Sequence, residues 1–162
     1  GIREMYDGKR KFYPDANSTM RLTYGKVTTY TPTDGIEQTY YTTLDELISR
    51  EDDNNPDFIV PEKLKELYEK KDYGRYKDAN GTIPVCFLTD CDVTGGNSGA
   101  PILNAKGELV GIVFDINWEA TASSLSYVPE QTRTISTDIR YILFIIDKYA
   151  EASNIIEELD IR

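Results

Sequence analysis

The chain has 162 residues, enough for one domain or one large piece of a bigger one, and 40% are hydrophobic, so it can bury a core. Its net charge of −10 argues against nucleic acid and anionic membrane surfaces as partners, because both need a basic face. No apolar run approaches the roughly 18–20 residues of a membrane span, which argues against membrane insertion.

In chain order, GIREMYDGKRK carries no initiator Met, no apolar h-region and no cleavage site. That start is neither a signal peptide nor a native beginning, and it predicts an excised or mature portion of a longer polypeptide. The first 20 residues, with FYPDANST, are polar and turn-rich. MRLTYGKVTTYT (20–31) predicts a strand, PTDG (32–35) a turn and EQTYYTT (37–43) a second strand. A helix follows, opened by a Thr43/Glu46 capping box and carrying Leu44, Leu47 and Ile48 on its apolar face. REDDNNPD (50–57) predicts a loop. Pro61 then opens a second helix, PEKLKELYEKKD, in which Leu64, Leu67 and Tyr68 share a face. These helices make the stretch from about 43 to 72 a helical, insertion-like segment, and YGRYKDANG (73–81) ends it.

TIPVCFLTD (82–90) predicts a strand. Its Cys86 and the following Cys91 exclude a disulfide scaffold, and without histidine they make a poor metal site. The pair can close one small loop, but the apolar pattern around Cys86 favours two free thiols. TGGNSGAP (94–101) comes next, then PILN, an AKG turn and ELVGIVFDIN (108–117), which together predict a hairpin. WEATASSLSYVPEQ (118–131) predicts a loop. RTISTDIRYILFIIDKYAEA (133–152) starts extended and turns helical, with Ser136, Thr137 or Asp138 as N-cap, and its dense run YILFIIDKYA, interrupted by Asp147 and Lys148, predicts a buried helix. A last turn or two follows in ASNIIEELDI. Short strands with a terminal helix packed back on them predict a mostly-β barrel with helical additions, in one domain.

The three glycines around Ser98 need a reason. A serine hydroxyl becomes a nucleophile only when a base takes its proton, and the oxyanion it creates must meet preorganised donors. In the serine-protease solution those donors are the backbone N–H groups of the serine and of the residue two before it, here Gly96. Glycine lets the backbone turn that N–H toward substrate, and Gly99 lets the chain leave the turn at once. The string alone also fits a polar β-turn. Its position ahead of a hairpin and a Gly–hydrophobic strand matches the nucleophile of chymotrypsin-like double barrels. Asn97 stands where enzymes activated by propeptide cleavage keep an aspartate, so that switch is not expected. Asp92, six residues before Ser98, sits where trypsin-type enzymes keep their specificity acid, and it reads equally as a solvated loop residue.

Three blocks are more specific: FYPDANSTMRLTYGKV (12–27), PVCFLTDCDVTGGNSGAPILNAKGELVGIVFDINWEA (84–120) and RTISTDIRYILFIIDKYA (133–150). In this order they closely resemble the C-terminal part of the dipeptidyl-peptidase 7 and dipeptidyl-peptidase 11 family, serine exopeptidases of Bacteroidetes and related bacteria. The resemblance implies a chymotrypsin-like double β-barrel with a large helical domain between its halves, of which this chain is the closing portion, the second barrel. The triad histidine and aspartate then belong to an N-terminal barrel of the same polypeptide, and the chain alone is catalytically silent. It implies Ser98 as nucleophile and the N–H groups of Gly96 and Ser98 as oxyanion hole. It implies Asp115 as the acid that binds the free α-amino group of a peptide substrate. Relatives that cut after hydrophobic residues carry Gly at the next position and those that cut after Asp or Glu carry Arg. Ile116 in this S1 position predicts a small or medium apolar P1. Trp118 is either a cleft wall or a buried barrel residue, and Ala100 replaces the family's second serine. No metal or cofactor is called for, and the expected location is periplasmic, cell-surface or secreted. Without its partner barrel the chain is expected to expose an apolar face and to form a homodimer or swap strands. Two other readings stay open: a non-catalytic peptide-binding module derived from such a barrel, and a self-contained endopeptidase with a base such as Lys.

Overall fold

The computed structural model describes residues 20–32, 35–121 and 128–162. Among these, five strands form one antiparallel sheet: β1 (Tyr41–Thr43), β2 (Pro84–Thr89), β3 (Pro101–Leu103), β4 (Leu109–Ile116) and β5 (Thr134–Asp138), in the order β1-β2-β5-β4-β3. The turn-rich start, part of the PTDG turn and residues 122–127 of the loop expected at 118–131 lie outside the described residues.

Local signals place most elements. Helix α1 (Leu44–Ser49) starts at Thr43, whose hydroxyl accepts from the Glu46 N–H while the Glu46 carboxylate accepts from the Thr43 N–H at 2.9 Å. Helix α2 (Glu62–Glu69) begins one residue after Pro61 and turns Leu64 inward. Strands β3 and β4 form the expected hairpin. Its tip is closed by Asn104, whose side-chain oxygen accepts from the N–H groups of Lys106 and Glu108, with Gly107 at φ +79°. Of the three candidate caps at the end of β5, Asp138 is the one used. Its carboxylate accepts from the Arg140 N–H at 2.9 Å and pairs with the Arg140 guanidinium at 2.8 Å, starting α3 (Ile139–Phe144). The helix then widens into a π-helical stretch, Ile145–Tyr149, before α4 (Ser153–Glu157).

The strand expected at 20–31 is corrected. Among the described residues only two isolated bridges form there, Val27 with Thr89 and Tyr30 with Gln38. A strand needs a neighbour along its length. This segment is instead tied at points: the Lys26 N–H donates to the Asp90 carboxylate, the Asp90 N–H to the Lys26 carbonyl at 3.1 Å, and the Asp92 N–H to the Thr23 hydroxyl at 3.1 Å. Met20, Leu22 and Tyr24 consequently stand 84–92% exposed.

The main core lies between the helices and one end of the sheet, around Leu44, Val60, Leu64, Ile83, Leu143 and Phe144. The segment 73–81 does more than end a helix, because it sends Tyr73 and Tyr76 into this core, with Tyr73 edge-on to Phe144 at 6.2 Å. Phe144→Ala is expected to cost about 3–5 kcal/mol, measured by chemical denaturation, because the ring is fully buried and its void cannot collapse completely.

Burial, reinforced by donation to Asp147 at 2.9 Å, pushes the Tyr76 hydroxyl up to about 12, and burial does the same for Tyr73. An unfolded tyrosine ionises near pH 10, so the contribution is fully present below that value. It is lost as pH rises from about 10 to 12, where the unfolded chain releases its protons first. Thermal stability is therefore expected to fall across that window, and Tyr76→Phe to make the fall shallower.

Cys86 and Cys91 are both free thiols. Cys86 lies within β2 and Cys91 two residues past its end.

Candidate active site

Residues 94–100 form a turn that spends some backbone donors and spares others. The Asn97 N–H donates to the Thr94 carbonyl at 3.1 Å, Gly99 to Val113 at 2.8 Å and Ala100 to Asn97 at 2.9 Å. The Asn97 side-chain oxygen accepts from the Thr94 N–H at 2.9 Å and locks the turn from inside. Among the described residues, no backbone carbonyl takes the N–H of Gly96 or of Ser98. Those are the two donors that an oxyanion hole at Ser98 requires. Gly96 sits at φ +96° and Gly99 at φ +89°, so backbone angle is what demands glycine, since a Cβ at either would meet nothing within 4 Å. Gly95 has neither a positive φ nor a close neighbour.

Ser98 is exposed, and its hydroxyl donates to the Phe114 carbonyl at a long 3.4 Å. The hydroxyl is thus weakly held and accessible. The chain contains no histidine, the side chain that most often serves a serine as general base.

Strand β4 supplies the other wall. Its pairing with β5 slips between Val113, opposite Ser136, and Asp115, opposite Ile135, leaving Phe114 as the extra residue of a β-bulge. In unbroken alternation Asp115 would share the buried face of Val113. The bulge carries it outward instead, so Phe114 and Asp115 are exposed in succession. The Asp115 carboxylate accepts from the Ile116 N–H at 2.8 Å, which fixes one oxygen and leaves the other free to receive a cation.

A cleft of about 290 Å³ joins these pieces, lined by Ser98, Asp115 and Ile116 together with Val93, Val113 and Thr121. Among the described residues Asp115 is the only charged side chain lining it. The structure thus brings Ser98, Asp115 and Ile116 together, with Gly96 in the adjoining turn. Trp118 is not brought in: it stands 84% exposed in a short 3₁₀ turn, Trp118–Ala120, outside the cleft lining and outside any barrel core. Asp92 does not line the cleft either. Thr121 was not marked by any sequence motif, and nothing short of the fold places it there.

A larger groove of about 620 Å³ lies between α1, α2 and the π-helical stretch, and it is walled mainly by apolar side chains such as Leu47, Val60 and Ile145. It holds no pairing of nucleophile and donors. Among the described residues no helix is long and apolar enough to cross a membrane.

The Peptidase S46 family matches residues 1–161. Dipeptidyl-peptidase 7 of Phocaeicola vulgatus is 52% identical over 99% of the chain, which covers 22% of that protein. An Asp/Glu-specific dipeptidyl-peptidase of Porphyromonas gingivalis is 45% identical over 99% of the chain, again 22% of the relative. The chain thus spans about a fifth of the length of the curated relatives it matches. The crystal structure of Porphyromonas endodontalis DPP11 in complex with the dipeptide Arg-Asp superposes with a TM-score of 0.88 at 44% identity, covering 98% of this chain and 23% of that one. The mostly-β fold with helices read from the sequence is therefore that of the corresponding part of DPP11, consistent with part of a chymotrypsin-like barrel.

Proposed function

This chain belongs to the peptidase S46 family, and we propose that it is the C-terminal, serine-bearing portion of a dipeptidyl peptidase that releases dipeptides from free peptide N-termini. The observation that carries the reading is the pair of spared N–H groups at Gly96 and Ser98 beside an exposed serine, with Asp115 in the same cleft.

In this reading the Ser98 hydroxyl oxygen attacks the scissile carbonyl and its proton passes to a histidine supplied by the rest of the polypeptide. The new oxyanion accepts from the N–H groups of Gly96 and Ser98. Collapse expels the leaving amine with that proton and leaves the dipeptide esterified to Ser98, and water then hydrolyses the ester by the same route in reverse. The Asp115 carboxylate pairs with the substrate ammonium, so its distance from Ser98 sets cleavage after two residues. No step needs a metal or cofactor.

The curated relatives include several named for Asp/Glu specificity. Ile116 offers no cation to an acidic P1, and Val93, Val113 and Thr121 are equally uncharged. A small or medium apolar P1 is therefore the substrate class assigned here. The partner is an N-terminal barrel of the same polypeptide, which brings the histidine and covers Met20, Leu22, Tyr24 and Trp118, all more than four-fifths exposed. Residues 1–162 act as one domain, with the helices from about 43 to 72 as an addition to its barrel. Separated from that barrel, the same apolar surface favours a homodimer. A periplasmic, cell-surface or secreted location suits an enzyme that trims peptides.

The test is hydrolysis of dipeptidyl-aminocoumarins by the longer polypeptide. Fluorophore is expected from free-amine substrates with apolar P1 and not from their N-acetylated forms. Cleavage of internal peptide bonds by the 162-residue chain alone would favour the self-contained endopeptidase. Binding of N-terminal peptides without any turnover would favour the binding module.

A further inference from the structure

Arg133 is a guanidinium only 5% exposed, and all five of its donors go to backbone carbonyls. Nε and one terminal nitrogen hold the Thr29 carbonyl at 3.1 and 2.9 Å. The other terminal nitrogen holds the carbonyls of Pro129 at 2.8 Å and Thr132 at 2.7 Å, and the fifth bond reaches Glu130 at 3.3 Å. The Tyr30 ring lies 5.9 Å away on the segment being held. A buried cation is costly unless every donor is matched, so a fork with five bonds to four carbonyls is a fixed object rather than a mobile side chain.

The backbone of this fixed residue is joined to the cleft. The Arg133 N–H donates to the Asn117 side-chain oxygen at 2.7 Å, and the Asn117 N–H donates to the Arg133 carbonyl at 3.0 Å. The Asn117 amide nitrogen also donates to the Gln131 carbonyl and the Glu119 carboxylate, both at 2.8 Å. Asn117 is itself 5% exposed and follows Asp115 and Ile116 directly. The two cleft residues are therefore held between the Phe114 bulge on one side and the Asn117–Arg133 lock on the other. Bulge and lock together fix how far the Asp115 carboxylate stands from Ser98.

We infer that Arg133, acting through Asn117, is the positioning residue for the amine-binding edge of the cleft. It sets the Ser98-to-Asp115 span that limits the product to two residues. The inference rests on the Ser98 and Asp115 roles proposed above.

Arg133→Lys in the longer polypeptide tests it, because lysine keeps the charge but cannot reach four carbonyls at once. With free-amine dipeptidyl substrates KM is expected to rise about 10-fold or more, since small misplacements of a binding group cost that much, while kcat changes less than about 3-fold. The rate at which a small fluorophosphonate labels Ser98 should stay unchanged, because that reagent does not use Asp115. In an Asp115→Ala background the Arg133→Lys change should add nothing further to KM. An unchanged KM, an equal fall in labelling and turnover, or a full additional effect without Asp115 would each overturn the inference. Arg133→Met should move KM further in the same direction; if it does not fold, the lysine variant alone decides. Absence of labelling in the unsubstituted protein would overturn the Ser98 reading, and this inference with it.

Discussion

Ser98→Ala is expected to lower dipeptide release by the longer polypeptide by roughly 10⁴–10⁶-fold, the loss seen when a triad serine is removed from an enzyme whose other parts stay in place. The residual rate would come from the oxyanion donors and substrate binding alone. Stability should scarcely move. The side chain is exposed and its one hydrogen bond is 3.4 Å long, so its removal falls within the roughly ±0.5 kcal/mol of ordinary surface changes. Thermal unfolding beside the rate measurement separates the two effects. Comparable losses in rate and in melting temperature would make Ser98 a structural turn residue rather than a nucleophile.

Asp115→Asn is the second large effect. Asparagine keeps the side-chain oxygen that accepts from the Ile116 N–H at 2.8 Å, so the corner should hold its shape while the charge is lost. A substrate ammonium left without its carboxylate should lose about 2–4 kcal/mol, a fall of roughly 30- to 900-fold in kcat/KM. The fall should be confined to substrates with a free amine, and N-acetylated peptides, already poor, should not worsen. Equal losses on both would place Asp115 in the turn's architecture instead of at the substrate.

The contrast between these residues and the rest shows what the sequence could carry. The capping box at Thr43, the β3–β4 hairpin and the Ser98 turn are local devices, written in residues a few positions apart, and the structure holds all three. The Phe114 bulge was not legible, because it is a slip between two strands and leaves no mark on either alone. Asp115 was placed by family resemblance, and its exposure depends on that slip. Segment 20–31 has a strand's composition, but among the described residues only Val27 and Tyr30 of it form bridges, so composition alone did not place it. Tyr73 and Tyr76 looked like loop residues because their core is assembled from helices far away in sequence. No motif singles out Arg133, and only the meeting of residues 29, 117 and 129–132 gives its guanidinium a purpose.

In the function proposed here, Ser98 is a nucleophile whose donors are already in place and whose base lies on another part of the polypeptide. Mass-spectrometric mapping of a fluorophosphonate adduct, run on the longer polypeptide and on the 162-residue chain side by side, tests it most directly. A single adduct on Ser98 is expected in the longer polypeptide, suppressed by a competing free-amine dipeptide, and none on the short chain. An adduct on any other residue, on neither protein, or at the same rate on both would contradict it.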